Sequence, residues 1–329
     1  MIILNALMST SLFKRYATKV DNTLARQDFD HDPPELYAPI DYVLKLGGKR
    51  LRPALCLAAC ELYGGELEEA MLPAVGLELF HNFSLVHDDI MDRADKRRGK
   101  PTVHTKWDQN RALLTGDALL VQAYQYLSKV KTPLLPRVMK VFNQTAMELC
   151  EGQQLDINFE TGQPATEQEY LEMITLKTAV LLGCSLRVGA IIGGATPSQA
   201  EHLYQFGLAA GQAFQVQDDW LDAFGDQQKV GKQAGGDILQ DKQTLLVIYA
   251  RQLDPDGWKA LREQALQGEE KVAAYTRFFH ESGARKQAEQ RREALLEEAH
   301  KELKAAGGSD DDIREHLAQF ATWLARRDR

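Results

Sequence analysis

Apolar residues recur at three- and four-residue spacing in segment after segment of this chain, and alternating apolar–polar runs are nearly absent. That periodicity predicts an all-α protein. Pro53, Pro73, Pro101, Pro133, Pro164, Pro197 and Pro255 stand near the predicted starts of such segments. There a missing N–H costs little and the fixed φ suits a first turn. Gly-containing or polar joints fall at Gly47-Gly48, Arg97 to Pro101, Thr161 to Pro164, Gly225 to Gly236 and Gly307 to Asp310. Prolines and joints together divide the chain into roughly ten or more helices. There is no repeat, no low-complexity tract and no linker long enough to demand a domain break, so residues 1–329 read as one large single-domain bundle. Residues 1–15 read as disordered or as a non-native start, with Met8 as an alternative start.

Composition narrows the class. With 44% hydrophobic and 26% charged residues over 329 positions, the chain is neither disordered nor fibrous. Lys and Arg number 39 against 47 Asp and Glu, and the net charge of −8 argues against a general nucleic-acid or anionic-membrane binder. Any anion site must then be a local cluster. The most apolar stretch, Ala179 to Ala195, is broken by Arg187 and by glycines, so no transmembrane segment is expected. Met1 to Met8 lacks the basic start and cleavage site of a secretory signal. The four cysteines form no Cys-x-x-Cys pair, which suits reduced thiols and a cytoplasmic location.

Candidate chemistry begins at Asp88-Asp89-Ile90-Met91-Asp92. On a helix Asp88 and Asp92 lie one above the other with Asp89 beside them, and like charges so placed repel. A solvated acidic helix end is the alternative to a cation site. Asp218-Asp219-Trp220-Leu221-Asp222 repeats the spacing, again on a helical apolar segment and just before a Gly-containing loop. Matched acidic patches suit Mg²⁺, which keeps several waters and shares its ligands between one or two carboxylates and substrate phosphates. Cations accompany both. Gly47-Gly48-Lys49-Arg50-Leu51-Arg52-Pro53 sets three cations on flexible backbone before a helix start, Arg97-Arg98-Gly99 follows the first triad, and Gly231-Lys232 with Asp237 and Lys242 follows the second.

At this point the sequence resembles a known family. GGKRLRP (Gly47 to Pro53), HNFSLVHDDIMD (His81 to Asp92), RRGKPT (Arg97 to Thr102), LKTA (Leu176 to Ala179), FQVQDDWLD (Phe214 to Asp222) and GKQAGGDILQDKQTL (Gly231 to Leu245) look, in this order, like the trans-prenyl diphosphate synthases. The resemblance implies an isoprenoid synthase-like all-α bundle around a deep central cavity, and usually a homodimer. It further implies condensation of isopentenyl diphosphate with an allylic diphosphate (dimethylallyl, geranyl or farnesyl). On that reading Asp88, Asp92 and Asp218, supported by Asp89, Asp219 and Asp222, grip several Mg²⁺ ions. Arg97, Lys177, Thr178, Gln215, Lys232 and Lys242 meet the allylic diphosphate or its reacting end, with Lys177, Lys232 and Gln215 counted as catalytic beside Asp88, Asp92 and Asp218. Lys49, Arg52, His81 and Arg98 hold isopentenyl diphosphate; for His81 the alternative is a satisfied core histidine. Phe83 and Ser84 form the wall that a growing chain meets, and one aromatic with one small residue there resembles geranylgeranyl (C20) ahead of farnesyl (C15) synthases. Leu246 departs from the proline the family often carries after Leu245. Arg326 to Arg329 read as a frayed charged end, with a lid as the alternative.

Two other classes compete with this reading. A class I terpene cyclase also ionises an allylic diphosphate, but it lacks a second substrate pocket and carries an Asn/Ser/Glu-type second motif. A non-catalytic partner subunit would have no reason to keep six mutually repelling carboxylates.

Overall fold

Helix carries the chain almost throughout the computed structural model, which describes residues 11–27, 31–161, 164–225 and 235–327. The chain divides into two units, one drawn from Met1–Phe142, Ser185–Ala200 and Gly308–Ile313, the other from Asn143–Cys184, Glu201–Gly307 and Arg314–Arg329.

In the first unit the helices are Ser11–Ala25 (α1), Pro34–Lys45 (α2), Leu51–Leu62 (α3), Leu67–Met91 (α4), the single turn Val103–Lys106 (α5) and Gln109–Leu127 (α6), followed by the start of Leu135–Thr161 (α7). A two-stranded hairpin, Lys96–Arg97 (β1) with Lys100–Pro101 (β2), follows α4. Nearly every side chain of α4 from Pro73 to Phe80 is buried. Pro73, expected to open that helix, lies inside it, because the helix begins at Leu67. The proline forfeits one intrahelical N–H bond near the N-terminus, while burial of Ala70, Ala74 and Leu77 carries the helix across it. Helices α4 and α6 pack closely because small residues sit between them: a Cβ on Gly76 would lie 3.0 Å from the Ala123 carbonyl, and one on Gly116 would lie 2.1 Å from His87 Nε2. Asp108 starts α6 by accepting the Arg111 N–H at 2.8 Å. Cys56 and Cys60 are buried small core residues of α3.

The second unit takes up the rest of α7, then Glu167–Ile174 (α8), a π turn over Thr175–Ala179, and the start of Val180–Ile192 (α9), whose residues from Ser185 on count with the first unit. After these come Pro197–Phe224 (α10), in this unit from Glu201, Gly236–Leu239 (α11), Leu245–Leu253 (α12), Pro255–Glu263 (α13), Gly268–Glu281 (α14), Ala284–Ala306 (α15) and Asp311–Arg326 (α16), in this unit from Arg314. Side-chain caps start two of these helices. Thr166 and Glu169 form a reciprocal capping box on α8, and Asp254 accepts the Gly257 N–H on α13. Leu246 sits buried in the first turn of α12, where a proline would also fit, so that departure from the family pattern concerns helix geometry alone. Among the described residues one continuous helical run, Glu167–Ile192, is long and apolar enough to cross a membrane, and 72% of its most apolar window is buried inside the protein.

Candidate active site

Both acidic triads sit at the C-terminal ends of helices, Asp88, Asp89 and Asp92 on α4 and Asp218, Asp219 and Asp222 on α10. A helix C-terminus already carries partial negative charge, so three carboxylates there raise a local potential that something positive must offset. Each triad meets this demand differently.

In the first unit the offset comes from the hairpin. Arg98 and Gly99 take φ of 52° and 74°, which makes a two-residue turn of the I′ kind and folds β2 back on β1. Thr102 ties the hairpin down, donating from Oγ1 to the Ala94 carbonyl at 2.7 Å. Arg97 then reaches back and grips buried Asp89, with Nε 2.9 and 3.0 Å from the two carboxylate oxygens and Nη2 2.8 Å from Oδ1. Asp92 is exposed and Asp88 half-buried.

Seven residues before Asp88, a cation cluster surrounds His81. Arg52 donates from Nη1 to His81 Nε2 at 3.0 Å, and Arg52 Nε is buried without a hydrogen-bond partner. The Arg98 guanidinium lies against the backbone of Gly48, where a Cβ would stand 3.0 Å from Nη2. Beneath the cluster Arg50, in the left-handed region at φ 50°, is locked by Glu78 at 2.7 Å, Asp21 at 2.8 Å and the Leu44 carbonyl at 3.0 Å. Burial chiefly, opposed by Glu78 and reinforced by Arg98, pulls the Arg52 guanidinium down to about 10. His81 is driven well below its usual range by burial and then by Arg52, Arg98, Arg97 and Arg50, so it is neutral and accepts from Arg52. A buried, unpartnered donor among crowded cations is the setting of an anion pocket.

This neutral histidine makes a pH prediction. Its pKa in the fold lies below that of the unfolded chain, so unfolding takes up a proton and stability falls as pH drops below about 6.5, with no effect above about pH 7.5. His81→Gln removes that contribution. Melting curves between about pH 7.5 and 5 should fall less steeply for the variant than for the wild type; parallel slopes would rule the neutral histidine out.

In the second unit the site is built on α10, the π turn and α7. Lys177 Nζ pairs with Asp156, and Thr178 Oγ1 donates to Gln215 Oε1 at 3.3 Å. The π turn exists here because Gly152 of α7 lies beneath it, where any Cβ would come within 2.2 Å of the Lys177 nitrogen. Thr175 reinforces the turn by donating to the Leu171 carbonyl and accepting from Gln212 at 2.6 Å. Such turns often mark functional positions. Asp219 is 8% exposed and accepts on both oxygens, from the Tyr170 hydroxyl at 2.6 Å and Gln215 Nε2 at 3.0 Å. Burial first and Asp219 second push the Tyr170 hydroxyl well up, so it stays a donor. Asp222 caps α11, accepting the N–H groups of Gly236 at 3.1 Å and Asp237 at 2.9 Å. Lys242 Nζ lies 3.5 Å from Asp237. A cavity of about 110 Å³ is lined by Lys177, Thr178, Gln215, Asp219, Asp237 and Lys242 among others. Lys232 lies outside the described residues.

The chain's end is tied down, not frayed, as far as Arg327. Arg326 pairs with Glu293 at 2.5 Å. Arg327 pairs with Asp218, lies 4.3 Å over the Phe214 ring, and its carbonyl accepts from Gln217 at 2.7 Å. Asp218, whose side chain is 42% exposed, thereby draws a cation from 109 positions along the chain.

The donor chemistry fits a hard divalent ion. Asp89, Asp219 and Asp222 are engaged by protein donors and Asp218 by Arg327, while Asp92 is exposed and Asp88 and Asp218 are half-buried. Among the described residues no group of three acidic, histidine or cysteine side chains is arranged to hold a metal alone, so an ion would share its shell with other oxygens. Sequence reasoning missed Asp156, Tyr170 and Glu78, and it read Arg327 as part of a frayed end with a lid as the alternative. Only Glu78 left a signal, as a lone acid inside the apolar run Val75 to Phe80.

A family model described as polyprenyl synthetase matches residues 33–281. The chain is 47% identical over 221 residues to a geranylgeranyl diphosphate synthase of Methanosarcina mazei, covering 66% of this chain and 68% of that one. The crystal structure of a geranylgeranyl pyrophosphate synthetase from Pyrococcus horikoshii superposes with a TM-score of 0.89 at 34% identity, over 96% of this chain and 98% of that one. A geranylgeranyl pyrophosphate synthase from Corynebacterium glutamicum, complexed with isoprenyl diphosphate and magnesium, gives 0.81 at 29% identity, covering 96% and 97%.

Proposed function

The chain belongs to the polyprenyl synthetase family, and from that premise we propose that it condenses isopentenyl diphosphate with dimethylallyl, geranyl and farnesyl diphosphates to geranylgeranyl diphosphate (C20), with farnesyl diphosphate (C15) the second choice. The fold is the all-α isoprenoid synthase fold of the related structures, and the protein is a short-chain trans-prenyltransferase. One observation supports the two-substrate reading: Arg52, Arg98 and neutral His81 form a cation cluster with an unpartnered Arg52 Nε, separate in sequence from the Lys177 and Lys242 cations, and a second diphosphate suits it. A cyclase has no use for such a pocket, and neither it nor a non-catalytic subunit is favoured.

In the proposed mechanism Asp88, Asp92 and Asp218 hold Mg²⁺, while Asp89, Asp219 and Asp222 keep the acidic helix ends in shape. Bound Mg²⁺ supplies charge neutralisation on the departing diphosphate. Arg97, Lys177, Lys232 and Lys242 add cationic contacts to the same group. As the allylic C–O bond breaks, the electron pair leaves with diphosphate. The π pair of isopentenyl diphosphate, held by Lys49, Arg52, His81 and Arg98, forms the new C–C bond, and a proton then passes to the released diphosphate. Thr178 and Gln215 line the reacting end. Incubation with Mg²⁺, isopentenyl diphosphate and each allylic primer should yield mainly C20 diphosphate. Cyclic hydrocarbon or no product would overturn the proposal.

Product length rests on Phe83 and Ser84. Phe83 is 9% exposed, its ring 5.3 Å from Phe80 and 4.9 Å from His87, and Phe80 is backed by Phe142 at 4.9 Å. His87 in turn meets the Leu113 carbonyl of α6 at 3.2 Å, so a neighbouring helix completes the wall. Phe83→Ala should shift the main product longer by about one isoprene unit, and Ser84→Phe should shorten it, since one side chain's volume decides whether the next unit fits. Chromatography showing one unchanged length distribution for all three proteins would remove this basis for C20.

A homodimer is supported by α6, which exposes Leu113, Leu114, Val121 and Tyr124. A monomer in light scattering would count against it. Cytoplasmic placement is supported by a sequence with four cysteines and no Cys-x-x-Cys pair.

A further inference from the structure

We propose that Tyr170 is a positioning residue for prenyl transfer, acting through Asp219 to fix which end of the Gln215 amide faces the reacting cation. The side chains form one relay. The Tyr170 hydroxyl donates to Asp219 Oδ2 at 2.6 Å, Gln215 Nε2 donates to Asp219 Oδ1 at 3.0 Å, and Thr178 Oγ1 donates to Gln215 Oε1 at 3.3 Å.

A glutamine amide has two ends of nearly equal shape and opposite polarity. With its N–H₂ end turned to Asp219, Gln215 leaves its carbonyl oxygen on the Thr178 side, where partial negative charge stabilises an allylic cation. Rotated by half a turn, it would set carbonyl oxygen against carboxylate and aim N–H₂ at the positive charge. Asp219 makes the choice between these states, and its carboxylate must be held still to do so.

Tyr170 supplies that restraint from a rigid mount. It is 1% exposed and stands in the first turn of α8, behind the Thr166–Glu169 capping box. The segment is anchored further by Arg251, which donates to the Ala165 carbonyl, and by Arg291, 3.3 Å from Glu167. Nothing else in the proposed chemistry uses the Tyr170 hydroxyl. A buried hydroxyl ending on an acidic side chain that aims a cavity-lining amide is therefore assigned to orientation.

The inference rests on the reading of Gln215 as lining the reacting end, and a double-mutant cycle separates failure of one from failure of the other. Tyr170→Phe deletes only the hydroxyl. In the wild-type background it should lower kcat about tenfold with KM for both substrates within about twofold, because an orientation needed only in the transition state is lost. In a Gln215→Leu background the same change should cost less than about twofold, since no amide remains to be aimed. Asp219→Asn, which replaces one of the two acceptor oxygens shared by Tyr170 and Gln215 with a donor, runs the cycle again without altering Tyr170. Wild-type kcat in Gln215→Leu would overturn the placement of Gln215 and the inference with it. Equal losses in both backgrounds, or a Tyr170→Phe effect confined to the melting midpoint, would overturn the role of Tyr170 alone.

Discussion

Asp88→Ala and Asp218→Ala should each lower turnover by about two to three orders of magnitude, with the helices intact. Both carboxylates are among the more accessible of their triads, and removing either takes away charge that the proposed Mg²⁺ site needs while leaving the protein donors on Asp89, Asp219 and Asp222 in place. Their stabilities should differ. Asp88 lies one turn from Asp92 at a helix C-terminus, so its loss relieves repulsion and the melting midpoint holds or rises. Asp218 is the partner of Arg327, so its loss leaves a largely buried cation without a counter-charge and the midpoint falls. Steady-state kinetics with calorimetry on both variants checks each part. Turnover near wild type in either would remove that carboxylate from the metal set.

Arg52→Ala should raise the Michaelis constant for isopentenyl diphosphate by about ten- to a hundredfold and touch the allylic diphosphate much less. The expected size follows from losing a charge-assisted, two-pronged contact in a partly buried setting. Arg50 keeps its ties to Glu78 and Asp21, so the loop from Gly47 should hold its course in the variant. Arg52→Lys should recover only part of the affinity, because it restores charge without the planar fork. A defect selective for the allylic substrate would reassign the pocket.

Much of this was legible in sequence. The 3.6-residue periodicity yielded the all-α class, and the spacing of Asp88 to Asp92 and Asp218 to Asp222 located both acidic helix ends. What escaped has a common cause. Tyr170 meets Asp219 across 49 positions, Glu78 meets Arg50 across 28, Lys177 meets Asp156 across 21, and Arg327 meets Asp218 across 109. Pairings of that range depend on how helices pack, which periodicity along one segment does not encode. Pro73 misled for a local reason, since a proline in the second turn looks in sequence like a proline in the first. The turn at Thr175 was hidden because one extra residue barely disturbs an apolar pattern.

That extra residue has an evolutionary consequence. A π turn takes up one extra residue in a single wider turn while the α-helices on either side keep their faces, so deleting one residue between Thr175 and Ala179 would return the run to regular α winding with its flanks in place. Tyr170 would stay on Asp219 and Ala179 against Gly211, while Lys177 and Thr178 would lose the positions from which they meet Asp156 and Gln215. Substitutions can accumulate in this segment one at a time, but its length cannot drift, and related chains sharing the site should align through it without a gap.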